Sequence, residues 1–154
     1  MQVLKNELNF LKKEYNLSFS QICELVEQDR DILVPVQIFS FDLSPLESLV
    51  KFLKENRDFN YHKIGILLNR DERTIWITYK NAIKKQKDKF IVKKIKYLVP
   101  VEKLQNRKYS VLESLCSYLI MKENLSINDI SILLNKNPSS IWTVYKRYLK
   151  KKQR

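Results

Sequence analysis

Glycine is almost missing from this chain. Gly65 is the only one in 154 residues, and only four prolines accompany it. That excludes glycine-rich loops that cradle phosphates, and it leaves few sharp glycine turns. A chain this poor in both residues is expected to be mostly helical. Histidine occurs once, as His62, and cysteine twice, as Cys23 and Cys116. No metal-ligand spacing and no Ser-His-Asp set can be drawn from them, so no catalytic residue, metal or cofactor is expected. The two cysteines lie far apart among apolar neighbours and read as buried thiols in a reducing compartment. No apolar run reaches the roughly 20 residues that span a bilayer. The opening MQVLKNELNFLKK carries charges throughout, unlike a signal peptide. A cytoplasmic (nucleoid) or nuclear protein with no membrane partner is expected.

Positive charge is plentiful. The chain holds 29 Lys and Arg against 17 Asp and Glu, a net +12. The charge is uneven. Residues 1–42 hold four basic and seven acidic side chains, net −3, which leaves 25 basic and 10 acidic, net +15, for residues 43–154. A body this basic points to a polyanion, nucleic acid before an acidic membrane. The acidic front segment reads as a separate part with a separate job.

Residues 67–76, LLNRDERTIW, return at 133–142 as LLNKNPSSIW. A shift of 66 aligns residues 43–85 with 109–151 without a gap, and 17 of 43 positions are identical. Each copy follows a shared phrase, ILVPVQIF at 32–39 and YLVPVEKL at 97–104. These are two copies of one structural unit. Within the first copy, Leu46, Leu49, Val50 and Leu53 recur at helical spacing, with Ser44 as cap, Pro45 at the first position and Glu47 completing a capping box. A second helix turns Ile64, Leu67 and Leu68 inward and ends at Asn69, which tolerates the left-handed conformation. Asp71 caps a third helix with Ile75, Tyr79 and Ile83 as its inner stripe. In the second copy Ser126 or Asn128 caps the middle helix, and Ile130, Leu133 and Leu134 face inward. Asn135 ends that helix. Asn137 and Pro138 then open a helix whose inner stripe is Ile141, Tyr145 and Leu149.

The stretches HKIGILLNRDERTIWITYKNAIKK and NDISILLNKNPSSIWTVYKRYLKK resemble the helix-turn-helix of bacterial sigma factor region 4 and of LuxR-type regulators. Asn69 and Asn135 stand in place of the usual turn glycine. Trp76 and Trp142 stand where those families more often carry a small or polar residue. No segment like sigma region 2 accompanies them. The resemblance implies an all-α fold with two tandem helix-turn-helix units, at 31–94 and 95–154, that bind DNA. Residues 1–30 form an acidic helical segment before them. Its FLKKEYNLSFSQICELVEQDRDILVP aligns with FLKENRDFNYHKIGILLNRDERTIWI, placing Ile22, Leu25 and Val26 at inner positions. It is either a degenerate third copy or an unrelated helical pair.

With the inner stripes set, Arg73, Trp76, Ile77 and Lys80 fall on the outer face of the third helix. Ser139, Trp142, Thr143 and Lys146 do so in the second copy. In helix-turn-helix proteins that face enters the major groove, where Lys reads guanine and apolar groups press on thymine methyls. The competing expectation for Trp76 and Trp142 is burial between helices. Basic residues continue both helices: Lys84, Lys85 and Lys87, with Lys89 beyond, and Arg147, Lys150 and Lys151, with Lys152 and Arg154 beyond. Phosphate contact is the role expected of them. The connecting KDKFIVKKIKYL is expected as a basic strand or an amphipathic helix.

Double-stranded DNA is therefore the expected partner of a monomeric protein, acting as a transcription regulator or architectural factor. Structured RNA is the alternative ligand. The alternative of another class is a protein-interaction module in which the repeated units and their tryptophans contact RNA polymerase or another protein; residues 1–42 are a separate candidate for contacting such a partner. Because a direct repeat in the chain need not impose two-fold symmetry, a non-palindromic site is expected.

Overall fold

The structure is a computed structural model that describes residues 2–16, 18, 20–21 and 32–154. It is mostly helical, with one two-stranded sheet among the described residues. The chain divides into two compact units, Met1–Asp31 and Ile32–Arg154. Both copies of the repeat belong to the second unit.

In the first unit, α1 runs Gln2–Tyr15 and is followed by Asn16 in the left-handed conformation, φ 51°. Ser18 then makes a reciprocal cap. Its N–H donates to Gln21 Oε1 at 2.8 Å, and its Oγ accepts from the Gln21 N–H at 3.3 Å. The same order, a helix, a left-handed Asx and a cap two residues on, occurs at Asp58 and Asn60 and again at Asn124 and Ser126. Ile22, Cys23, Leu25 and Val26 lie outside the described residues.

The second unit opens with β1 (Leu33–Pro35) and a 3-10 helix (Val36–Ser40), then α2 (Pro45–Glu55), α3 (Tyr61–Leu68) and α4 (Glu72–Lys85). The order returns as β2 (Leu98–Pro100), a 3-10 helix (Val101–Leu104), α5 (Val111–Met121), α6 (Ile127–Leu133) and α7 (Pro138–Lys152). The expected caps are made. Ser44 with Glu47 and Ser110 with Glu113 form full capping boxes. Ser126, rather than Asn128, caps α6. Asp71 and Asn137 accept the N–H groups of Arg73 and Ser139. Asparagine and aspartate do what glycine does elsewhere. The left-handed residues come in equivalent pairs, Asp58 with Asn124 and Asn69 with Asn135, while Gly65 lies inside α3.

The sheet is the feature an all-helical expectation left out. β1 and β2 pair antiparallel with Leu33 opposite Pro100, Val34 opposite Val99 and Pro35 opposite Leu98. The shared phrases are related by a shift of 65, so Val34 and Val99 are the same residue of the two copies. Pro35 and Pro100 have no N–H to give. The next residues donate instead, Val36 to the Tyr97 carbonyl at 3.1 Å and Val101 to the Ile32 carbonyl at 2.8 Å. Those two bonds are also equivalents. Equivalent strands paired antiparallel about equivalent residues are exchanged by a local two-fold rotation. The packing obeys it. The first 3-10 helix packs on α2 and on α6, the second on α5 and on α3, and α2 meets α5. The two copies are thus joined as an isologous pair. Their shared core runs from Val34, Val36, Ile38 and Phe39 through Leu49, Leu53, Ile64, Leu68 and Ile75 to Val99, Leu115, Leu119, Ile130, Leu134 and Ile141.

Three sequence expectations need correction. Ala82, not Ile83, is the second fully buried residue of α4. It lies seven residues after Ile75, two helical turns further along the same face. Leu149 of α7 is exposed, while Val144 packs on the core and the Tyr148 ring lies 4.6 Å from that of Tyr109. Residues 86–97 are neither strand nor amphipathic helix. They run irregularly from α4 to β2, anchored by buried Phe90 while Ile91 and Ile95 face solvent.

Candidate nucleic-acid interface

Each copy presents one long helix, α4 or α7, whose position is fixed at both ends. The N-terminal end follows a tight turn at Asn69 or Asn135. Past it, the Arg70 N–H donates to the Gly65 carbonyl and the Lys136 N–H to the Ser131 carbonyl, both at 2.9 Å. The C-terminal end is tied to the start of the first helix. Lys85 Nζ reaches both carboxylate oxygens of Glu47 at 3.0 Å, and Lys151 Nζ those of Glu113 at 3.1 and 2.8 Å. Glu47 and Glu113 are buried and also close the capping boxes, so one carboxylate secures the start of one helix and the end of another. Lys85 and Lys151, expected at phosphates, are held in these ion pairs. The sequence did carry a signal for this: Glu47 and Lys85 recur as Glu113 and Lys151 with the same separation.

The eight residues expected to face bases, Arg73, Trp76, Ile77, Lys80, Ser139, Trp142, Thr143 and Lys146, are all exposed. Trp76 and Trp142 are each 47% exposed, so neither is buried between helices. Lys80 Nζ lies 5.7 Å from the Trp76 ring centroid and Lys146 Nζ 5.2 Å from that of Trp142. One helical turn separates each cation from its ring, the spacing that puts side chains on one face. Lys84, Lys87, Arg147 and Lys150 are exposed, with no ion pair among the described residues.

The faces differ in their first turns. Asp71 and Glu72 open α4, and His62 Nδ1 lies 3.5 Å from Glu72 Oε2. Asn137 and Pro138 open α7 without charge. The Thr143 hydroxyl donates to the Ser139 carbonyl at 2.9 Å, and the Ser139 hydroxyl to Asn137 Oδ1 at 2.8 Å. Ile66 and Ile132, an equivalent pair on α3 and α6, project into solvent. Sequence pattern singles out Asp71 as a cap, but neither Glu72 nor these isoleucines.

Among the described residues no group of His, Cys, Asp or Glu could hold a metal ion, and no helix is long and apolar enough to cross a membrane. Cys116 is buried, and desolvation pushes its thiol up to about 12. No family model, curated protein or solved structure matches the chain.

Proposed function

We propose that residues 32–154 bind double-stranded DNA, with α4 and α7 as two helix-turn-helix recognition helices. The observation that carries this reading is the twin Trp–Lys face. Two equivalent helices of a strongly basic body expose the same aromatic and the same cation, each helix secured at both ends by caps and an ion pair. A surface with only a packing role has no reason to leave two tryptophans half in water. In this reading Trp76, Lys80, Trp142 and Lys146 meet base edges at positions common to both half-sites. Arg73 and Ile77, against Ser139 and Thr143, make the half-sites differ. Lys84, Lys87, Arg147 and Lys150 contact phosphates, while Lys85 and Lys151 position the helices.

The two-fold relation between the copies changes the expected site. Operator symmetry mirrors protein symmetry. The half-sites should be inverted about a dyad, not repeated in one direction. A transcription regulator or architectural factor is the role this implies.

The test is affinity for duplex DNA across a salt series. Four phosphate contacts predict a slope of about −4 in log affinity against log salt. Lys80→Ala and Lys146→Ala should each weaken binding by about 1–3 kcal/mol if each reads a base. A flat salt response would favour the protein-interaction reading, which the exposed Trp76, Ile77 and Trp142 also suit. A steep response with preference for folded RNA would favour the RNA reading.

A further inference from the structure

In the first copy a groove over α2 is filled by the chain itself. Phe90 drops into it, 3% exposed, with its ring centroid 4.9 Å from that of Phe41 and 5.6 Å from Lys51 Nζ. Asn56 Nδ2 donates to the Phe90 carbonyl at 3.0 Å, and Gln37 Nε2 donates to the Lys94 carbonyl. Residues 86–97 therefore dock as an extended strap held by one aromatic anchor and backbone carbonyls.

The second copy has the same groove over α5, open, with a volume of about 300 Å³. The four residues that grip the strap have equivalents in its lining. Gln37 becomes Glu102, Phe41 becomes Asn106, Lys51 becomes Ser117 and Asn56 becomes Lys122. Among the described residues that line this groove, none is a counterpart of Phe90.

The lining has been changed in a consistent direction. Lys51 is fully buried and paired with Glu55 at 2.5 Å, a pair that cancels its own charge. Their equivalents are Ser117 and Met121, whose Oγ and Sδ lie 3.5 Å apart. Met121 is 54% exposed and, with Tyr109, Tyr118 and Tyr148, lines the groove with thioether and aromatic surface. That surface suits a flat ring. At the rim, Lys103 is paired with Glu102 at 3.6 Å, and Lys122, in place of the neutral Asn56, makes the lining net positive.

We infer that the groove over α5 is a docking site for an extended peptide of another protein, one with an aromatic residue flanked by acidic ones. Its ring takes the place of Phe90 against Met121 and Tyr118. Lys122 takes the place of Asn56 beside the peptide backbone and gives the acidic flank its cation. The site uses none of the residues assigned to DNA, so it stands or falls independently of that reading.

The test uses the full chain and a fluorescent peptide of residues 86–97 with its lysines changed to glutamate and its Phe kept. Binding is read by anisotropy. The peptide should bind, and its Phe→Ala version about tenfold more weakly, as loss of a central anchor does. Met121→Ser should weaken binding severalfold, and Lys122→Glu should weaken the acidic peptide more than the native basic one. Both substitutions are at exposed positions at the end of α5, and a thermal melt confirms that each variant is folded. No binding overturns the inference. So does binding indifferent to the ring or to Met121, which would be charge adhesion alone. Concentration-dependent dimerisation that Met121→Ser abolishes also overturns it, because the occupant would then be a second copy.

Discussion

Val34 faces Val99 across the strand pair, and the two are the same residue of the repeated unit. Both are fully buried. One contact thus does what a dimer interface does in a symmetric pair of chains, joining two copies through identical surfaces. Val34→Ala and Val99→Ala should each cost about 2 kcal/mol, within the range for burying a valine. Urea unfolding checks this, and the two losses should be similar because the rotation makes the sites alike.

Lysines on the long helices should separate into two kinds. Lys85→Ala and Lys151→Ala each leave a buried glutamate without its cation and should cost about 1 kcal/mol, since the lysines themselves are half exposed. Lys84→Ala and Lys150→Ala should change stability by less than about 0.5 kcal/mol. They should each reduce the salt slope of DNA binding by about one. Paired melts and titrations of the four variants separate the kinds.

Much of this was legible in local sequence. Ser44 with Glu47, Asp71, Asn137 and the left-handed Asn69 are set by nearest neighbours along the chain, and each forms as its pattern dictates. What joins distant segments was not. ILVPVQIF and YLVPVEKL were visible as a shared phrase, but a three-residue strand has no periodicity of its own, and only its partner makes it a strand. The direction of that pairing decides between a head-to-tail and a two-fold arrangement, so the symmetry was hidden with it. The shift from Ile83 to Ala82 has a different cause. A stripe drawn at strict steps of four drifts around a helix of 3.6 residues per turn, and a small alanine gives no apolar signal. Among the expected site residues, the eight on the outer faces of the long helices are exposed, which their helical spacing alone made legible. The ion pairs of Lys85 and Lys151 were not legible in the same way, because each partner lies 38 residues away.

The caps should be structural and equal. Asp71→Ala and Asn137→Ala should each cost about 1 kcal/mol, the usual loss of a helix N-cap. Neither should change the preferred DNA sequence of the folded protein. A stable Asp71→Ala protein with a new preferred site would make Asp71 a base-reading residue.

Alkali should loosen the fold, with Cys116 and Tyr79 contributing and Tyr118, raised by burial, acting in the same direction. Burial lifts the Cys116 thiol from its ordinary 9.0 to about 12. Burial, and then its hydrogen bond to Glu55, lift the Tyr79 hydroxyl from 10.0 to about 12. Both are raised in the folded state, so their contribution is complete below about pH 9 and is lost as pH rises toward 12. Melting temperature should fall across that window, and Cys116→Ala should flatten the fall. In a Cys23→Ser protein, a thiol reagent at pH 8 should leave folded Cys116 unmodified and react once urea is added.

Residues 1–31 should be dispensable for DNA. The buried core among the described residues begins at Val34, and residues 1–42 carry a net negative charge. A chain starting at Ile32 should fold, as circular dichroism would show, and bind duplex DNA as tightly as the full chain or slightly better. A tenfold loss in that folded chain would give the segment a place at the DNA.

Selection of bound duplexes from a randomised pool tests the two-fold reader most directly. The recovered sites should be imperfect palindromes. Positions met by Trp76 and Lys80 should be matched across the dyad by those met by Trp142 and Lys146, and the positions facing Arg73 and Ile77 should differ from those facing Ser139 and Thr143. Centres about one helical turn apart, roughly 10–10.5 base pairs, would place both helices on one face of the duplex. Recovery of a direct repeat, of one half-site alone, or of no preferred sequence would contradict it.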